Sequence, residues 1–345
     1  MESIVLNGDK MQFKESLEPQ IKRPKDIKIK IKYSGICGTD LQVLKGNEKS
    51  VDKIIRGHEA VGEIVEIGSE IKNFKVKDRV AIDPNQYCGH CYYCKKGATN
   101  FCEAPGGFTI AGINIDGVFA DYFVCDEAFV YHIPNDMTWE QAVMIEPTAC
   151  IYNNILAANV KPSDSVLIFG SGPMGAICEI ICKKISKLVV AVETNDYRRN
   201  FCEKYVDYIY HPKDLTQKEM YRINDGRKFD VVFDTVGTQM ENALLNFTEK
   251  NGRIVPIGMN QVYNFSLHPM TLISNGIKLI GASEYNMLFV DTINMLKRYK
   301  EIGELVTKKL PFEKCEEGFN SVLGFDMNTK KPLEITQMKC VFETK

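Results

Sequence analysis

Four cysteines, Cys88, Cys91, Cys94 and Cys102, fall within YCGHCYYCKKGATNFC, spaced C-x2-C-x2-C-x7-C. Thiolates packed this tightly bind soft metals or pair as disulfides. A bacterial iron–sulfur run needs a shorter last interval and a proline after its fourth cysteine. Here the last interval is seven residues and Glu103 follows. Four thiolates complete a tetrahedron around zinc and leave no open position, so such a site is structural. A second set of side chains is more scattered. Cys37 and Thr39 stand in GICGTD, His58 and Glu59 in RGHEAVG, and Glu146 in MIEPTAC. A thiolate, an imidazole and carboxylates suit a catalytic zinc, which needs about three protein ligands and an open position. None of these fragments is specific alone.

A third motif, GSGPMG, supplies Gly170, Gly172 and Gly175. The apolar run SVLIF (165–169) precedes it and AICEIICKKI, at helical spacing, follows. Gly170 permits the tight turn, Gly172 lets the backbone approach a pyrophosphate, and Gly175 lets the helix pack close to the strand. Free N–H groups at the helix start then face the phosphates. Glu193 closes the next apolar run, eighteen residues past Gly175. A carboxylate there accepts bonds from ribose hydroxyls and repels a 2′-phosphate, which favours NAD over NADP. Arg198 and Arg199, close behind, leave some tolerance of NADP open. Pro173, Met174, Arg198, Ile257 and Gly258 complete the candidate cofactor-binding residues.

The elements that must position these groups change in character along the chain. The first ~150 residues alternate apolar and polar positions between glycines, as in DIKIKIKYSGICG and GVFADYFVCD, and predict a β-rich region. From there, continuous apolar runs (SVLIF, KLVVAVE, FDVVFDTVG, GRIVPIG, IKLIG) are separated by helix-length segments. That pattern predicts a parallel sheet covered on both faces. LFVDTINMLKRY then reads as a helix, and the tail is expected to rejoin the first domain. The expected division is 1–148, with a cysteine lobe at about 86–104, then 149–285 and 286–345.

Taken in order, CGTD, GHE, the four-cysteine lobe, EP and the glycine motif resemble the zinc-dependent medium-chain dehydrogenase/reductase (alcohol dehydrogenase) family over nearly the whole chain. The chain looks closest to the sorbitol, threonine and polyol dehydrogenase branch, because Glu146 stands where other branches carry a cysteine. The resemblance implies an α/β protein: a GroES-like β-rich catalytic domain plus a Rossmann doubly wound parallel-sheet nucleotide-binding domain. It implies two zinc ions, one structural on Cys88, Cys91, Cys94 and Cys102. The other would be catalytic, on Cys37 and His58. Glu59 would be a third ligand or one that exchanges with water, and Glu146 a ligand or the holder of a bound water. Thr39 would pass the alcohol proton outward. The implied activity is oxidation of a secondary alcohol on a polyol, sugar or cyclitol to a ketone, with hydride transfer to NAD. L-Threonine 3-dehydrogenase or a sugar-acid dehydrogenase is the rival, and a non-catalytic nucleotide-binding or redox-sensing protein the remote one. A homodimer or homotetramer is the family habit. Two positions depart from the pattern: Gln42 follows Leu41 where many relatives carry histidine, and Glu284 in GASEYN stands where polyol relatives carry arginine.

Composition agrees with a small-molecule enzyme. Lys plus Arg number 43 against 45 Asp plus Glu, so no basic surplus points to nucleic acid or an anionic membrane. No run approaches the ~20 apolar residues of a membrane span, and the N-terminal stretch lacks a signal-peptide core. A cytoplasmic location is expected, with Cys178 and Cys182 as buried thiols. His90, His132, His211 and His268 read as bystanders. KDIKIKIK reads as a half-buried strand with one solvated face, and Trp139 as a packing residue after an Asp136 or Thr138 cap.

Overall fold

A computed structural model describes residues 1–345 apart from 9, 48–50, 104–107, 238–240 and 259–263. Two compact units emerge: Met1–Ala149 with Asn286–Lys345, and Cys150–Tyr285. Among the described residues, no helix is long and apolar enough to cross a membrane.

The first unit is built on a mixed sheet ordered Val306–Leu310, Lys339–Glu343, Asp26–Gly35, Glu59–Ile67, Arg79–Ile82, Val130–His132, with Tyr122–Asp126 also pairing Asp26–Gly35. Alternation makes the central strand: Ile27, Ile29 and Ile31 point into a core with Ile64, Val80 and Phe123. Its other face is less solvated than the alternation predicts. Lys28 is buried, its Nζ 2.6 Å from Glu18 Oε1 and 5.3 Å from the centre of the Tyr122 ring. The segment entering the strand and the neighbouring strand cover that position, which no period along one strand reveals; Lys30 is exposed.

The last strand, Lys339–Glu343, pairs antiparallel with the central one, Val341 opposite Gly35 and Phe342 opposite Ser34. Phe342 packs against Phe119, Phe312 and Phe319, which anchors the tail. The other side of Gly35 faces Glu59. Residues far apart in sequence therefore flank one glycine.

The second unit is a six-stranded parallel sheet ordered Tyr208–Tyr210, Leu188–Val192, Ser165–Phe169, Phe229–Asp234, Thr248–Pro256, Lys278–Leu279. Its middle strands are apolar throughout because helices cover both faces; Val166, Leu167, Ile168, Val190 and Val232 are fully buried. IKLIG yields only the two-residue exposed edge strand Lys278–Leu279. Strand order reverses at Ser165–Phe169, and GSGPMG leaves the carboxyl end of that strand. This is the topological switch point at which open α/β sheets bind ligands.

Candidate active site

Cys37 leaves the central strand and caps the helix Gly38–Leu44. Its N–H donates to Asp40 Oδ2 at 3.2 Å, and Asp40 Oδ1 accepts from Arg56 Nη2 at 3.1 Å. Both members of this ion pair are fully buried. It ties the CGTD turn to RGHE, so breaking it strands a buried charge beside the site. Two residues after Arg56 comes His58, and Glu59 opens the strand opposite Gly35.

The ligand atoms of Cys37, His58 and Glu59 all lie within 4.8 Å of one another. His58 is buried and its Nδ1 has no hydrogen-bond partner, an expensive state for a ring nitrogen. Burial first, and the Glu59 carboxylate second, push the Cys37 thiol up to about 12. A bound cation reverses that balance by favouring the thiolate. The donor set therefore fits zinc. Thr39 Oγ1 lies 3.7 Å from Cys37 Sγ. Glu146 is buried in the first turn of the helix Ile145–Ala158. It stands outside the 4.8 Å set but shares its electrostatic neighbourhood, since its charge acts on Lys339 together with those of Glu59 and Cys37.

Lys339 is the residue that motif reasoning missed. Its Nζ lies 2.7 Å from Glu59 Oε1 and 2.5 Å from Oε2. Lys339 is 3% exposed and the Glu59 side chain 0%. Burial pulls the lysine down, yet the surrounding negative groups, Glu59 foremost, hold it above its ordinary value. Gly35 makes the meeting possible: a Cβ there would lie 2.1 Å from Glu59 Oε2 and 3.0 Å from Lys339 Cε. The available signal was a lone lysine in the otherwise apolar MKCVF (338–342). Lys339→Met is expected to cost about 3–5 kcal/mol, because it leaves the Glu59 carboxylate buried without its cation. Urea unfolding measures this, and wild-type stability in the variant would exclude such a support.

The four-cysteine lobe is a separate place in the same unit. All four sulfurs lie within 4.8 Å of one another. Cys88 to Cys94 and Cys91 to Cys102 are each 3.9 Å between sulfurs. A zinc tetrahedron with bonds of about 2.3 Å has edges of about 3.8 Å. Backbone N–H groups of His90 and Cys91 donate to Cys88 Sγ, and that of Cys88 to Cys102 Sγ, the arrangement thiolates favour. His90 is exposed, with its Nδ1 2.7 Å from Cys88 O. Asn286 pins the lobe: its Oδ1 accepts from Thr99 N and Oγ1, and its Nδ2 donates to Gly97 O.

In the second unit, Gly170 has φ +91°. A Cβ on Gly175 would lie 1.8 Å from Gly170 O, so the helix Pro173–Lys183 packs as closely as the motif requires. Gly172 caps that helix, Pro173 takes its first position, and Met174 follows, half-buried. The Arg198 guanidinium reaches the same turn, its Nη1 3.5 Å from where a Gly172 Cβ would stand. Glu193 faces the motif directly. Its Oε2 accepts from Ser171 N at 2.7 Å and its Oε1 from Asn195 N at 2.8 Å. Ile257 and Gly258 lie past the strand Thr248–Pro256 and donate to Asp234 O at 2.7 and 2.9 Å.

The bystanders have ordinary roles. His132 stacks on Phe74, His268 caps the helix Pro269–Asn275, and His211 Nδ1 accepts from Lys213 N. Trp139 lies under the Arg79 guanidinium at 4.0 Å, and Thr138 caps its helix. Gln42 accepts from Asn47, and Glu284 is half-buried with φ +45°.

Residues 23–135 match the alcohol dehydrogenase GroES-like domain, and residues 173–301 match the zinc-binding dehydrogenase domain. The chain is 30% identical over 338 residues to "D-xylulose reductase A" of Aspergillus oryzae, covering 93% of each. It is 31% identical over 325 residues to "D-arabitol-phosphate dehydrogenase" of Enterococcus avium, covering 91% of each. Among solved structures, 2R,3R-butanediol dehydrogenase from Bacillus subtilis aligns at a TM-score of 0.86 and 25% identity, over 100% of this chain and 99% of that one.

Proposed function

We propose, because this chain belongs to the zinc-dependent medium-chain alcohol dehydrogenase family and to its polyol and threonine branch, that it oxidises a secondary alcohol of a small polyol or sugar to a ketone and transfers the hydride to NAD. The observation that carries this reading is the set of half-buried Cys37 with buried His58 and Glu59, holding an uncommitted imidazole nitrogen, in a chain that also holds a dinucleotide motif. Relatives named for xylulose and arabitol phosphate support a polyol–ketose pair.

Cys37, His58 and the Glu59 carboxylate would hold a zinc ion, with Glu146 as an alternative ligand or the holder of a bound water; the ion when bound supplies Lewis-acid chemistry that lowers the pKa of a substrate hydroxyl. GSGPMG, Arg198 and Glu193 would hold NAD, which serves as hydride acceptor. Thr39 Oγ takes the hydroxyl proton and passes it outward. Lys339 fixes the direction of the Glu59 carboxylate through its contact with both oxygens. The Asp40–Arg56 pair holds the Cys37 turn in register with His58. Glu193 favours NAD by accepting from ribose hydroxyls and opposing a 2′-phosphate. Cys88, Cys91, Cys94 and Cys102 would hold a second, structural zinc. A homodimer or homotetramer in the cytoplasm completes the reading.

The test is a panel of polyols, pentitol phosphates, sugars, sugar acids, cyclitols and threonine, each with NAD and with NADP. We expect the highest kcat/KM on a polyol, with NAD ahead of NADP by about tenfold or more, as a 2′-phosphate facing a carboxylate demands. Turnover confined to threonine would replace the substrate reading, and no turnover in zinc-replete protein would remove it.

A further inference from the structure

Ser171, inside GSGPMG, is fully buried. Each of its polar groups meets a side chain from a different place. Its N–H donates to Glu193 Oε2 at 2.7 Å, and its Oγ donates to Glu179 Oε1 at 2.6 Å. Its carbonyl accepts from Cys202 Sγ at 3.8 Å. Glu179 belongs to the helix that the motif opens, and its neighbours there, Ala176, Ile177, Cys178, Ile180, Ile181 and Cys182, are buried. Glu179 itself is fully buried, and its Oε2 has no hydrogen-bond partner. A buried carboxylate with so few donors is expensive, whereas the uncharged acid fits.

We infer that Glu179 is a positioning residue for the dinucleotide: through Ser171 it sets the turn that faces the pyrophosphate and the carboxylate that faces the ribose, and a negative charge on it weakens the binding of an anionic nucleotide. The inference rests on reading GSGPMG as the cofactor site. The groups around Glu179 are few. The strands Ser165–Phe169 and Leu188–Val192 carry nothing titratable. Its own helix contributes the thiols Cys178 and Cys182. The helix Asp196–Cys202 contributes Cys202, with Arg198 beside Glu193. On the short helix Glu203–Tyr205, Glu203 and Lys204 are exposed and the Tyr205 phenol is buried. Burial foremost, with the Glu193 charge adding, pushes Glu179 up to about 8, while the Ser171 hydroxyl bond and the nearby Cys202 thiol pull the other way. Glu179 is then neutral at pH 7 and ionises above it, behind the turn that receives the phosphates.

The experiment is calorimetric titration of NAD into the zinc-replete protein from pH 6.5 to 9.5, for wild type, Glu179→Gln and Glu179→Leu. If bound nucleotide raises the Glu179 pKa by one further unit from about 8, wild-type Kd rises about fivefold between pH 7 and 9. Glu179→Gln keeps an acceptor for Ser171 and cannot ionise, so its Kd should match wild type at pH 7 and lack this rise. Glu179→Leu loses the Ser171 contact and should bind more weakly at every pH. Normal binding at pH 7 with identical pH profiles for wild type and Glu179→Gln overturns this inference alone. If wild type binds neither NAD nor NADP at pH 7, the cofactor reading falls and the inference with it.

Discussion

Cys37→Ala is expected to lose one of two bound zinc ions and to lower turnover by about 10³ or more in a protein that stays folded. A metal acting as Lewis acid contributes several kcal/mol to the barrier, and about 4 kcal/mol is three decades in rate. The substitution removes the only sulfur of the Cys37, His58 and Glu59 set. It leaves the Asp40–Arg56 pair and the Glu59–Lys339 pair in place, so the local fold keeps its supports. Metal content per chain, measured by atomic emission beside the rate of NAD reduction, separates the possibilities. Full activity with one zinc lost would defeat the proposed mechanism. Low activity with both zinc ions retained would assign Cys37 a role other than ligand.

Cys94→Ala should show the opposite pattern. The lobe spans 88–102 and contains only a four-residue helix and a 3₁₀ turn, with Tyr92 and Phe101 exposed. So little apolar burial cannot hold a loop of this length, and metal binding there amounts to folding energy. A loss of about 4 kcal/mol corresponds to a fall in Tm on the order of 10 °C. Activity per folded, Cys37-site-loaded molecule should be preserved, because no sulfur of the lobe belongs to the Cys37 set. Differential scanning calorimetry combined with specific activity below the transition tests both halves. An inactive, fully folded Cys94→Ala carrying its Cys37-site zinc would show that the two metal sites are not independent.

The chemistry-bearing motifs were readable because each is local. The cysteine spacing depends on one short loop, and the glycines of GSGPMG answer to a turn and a helix start within six residues. Apolar runs such as SVLIF announce buried parallel strands because a strand covered on both faces has no polar side to alternate with. Single-strand alternation failed at Lys28, which neighbouring segments cover. Asp40 and Arg56 lay inside quoted motifs, yet their pairing across sixteen positions carries no pattern along the chain.

The sequence by itself determined the four-cysteine spacing, the dinucleotide turn and the alternation of sheet types, since residue type and short spacing carry these, whereas the scattered Cys37, His58, Glu59 and Glu146 were assigned only through the resemblance that the motifs carry in their order. Tertiary structure decided what surrounds them. It inserts Lys339 beside Glu59, 280 residues away, through a last strand that adds to the central one across Gly35. It also sets Glu179 and Cys202 behind Ser171. These placements depend on strand register and on which helix face is buried, and each contact contributes to charge balance only once water is excluded. Water exclusion is a property of the packed chain and leaves no periodic mark in the order of its residues.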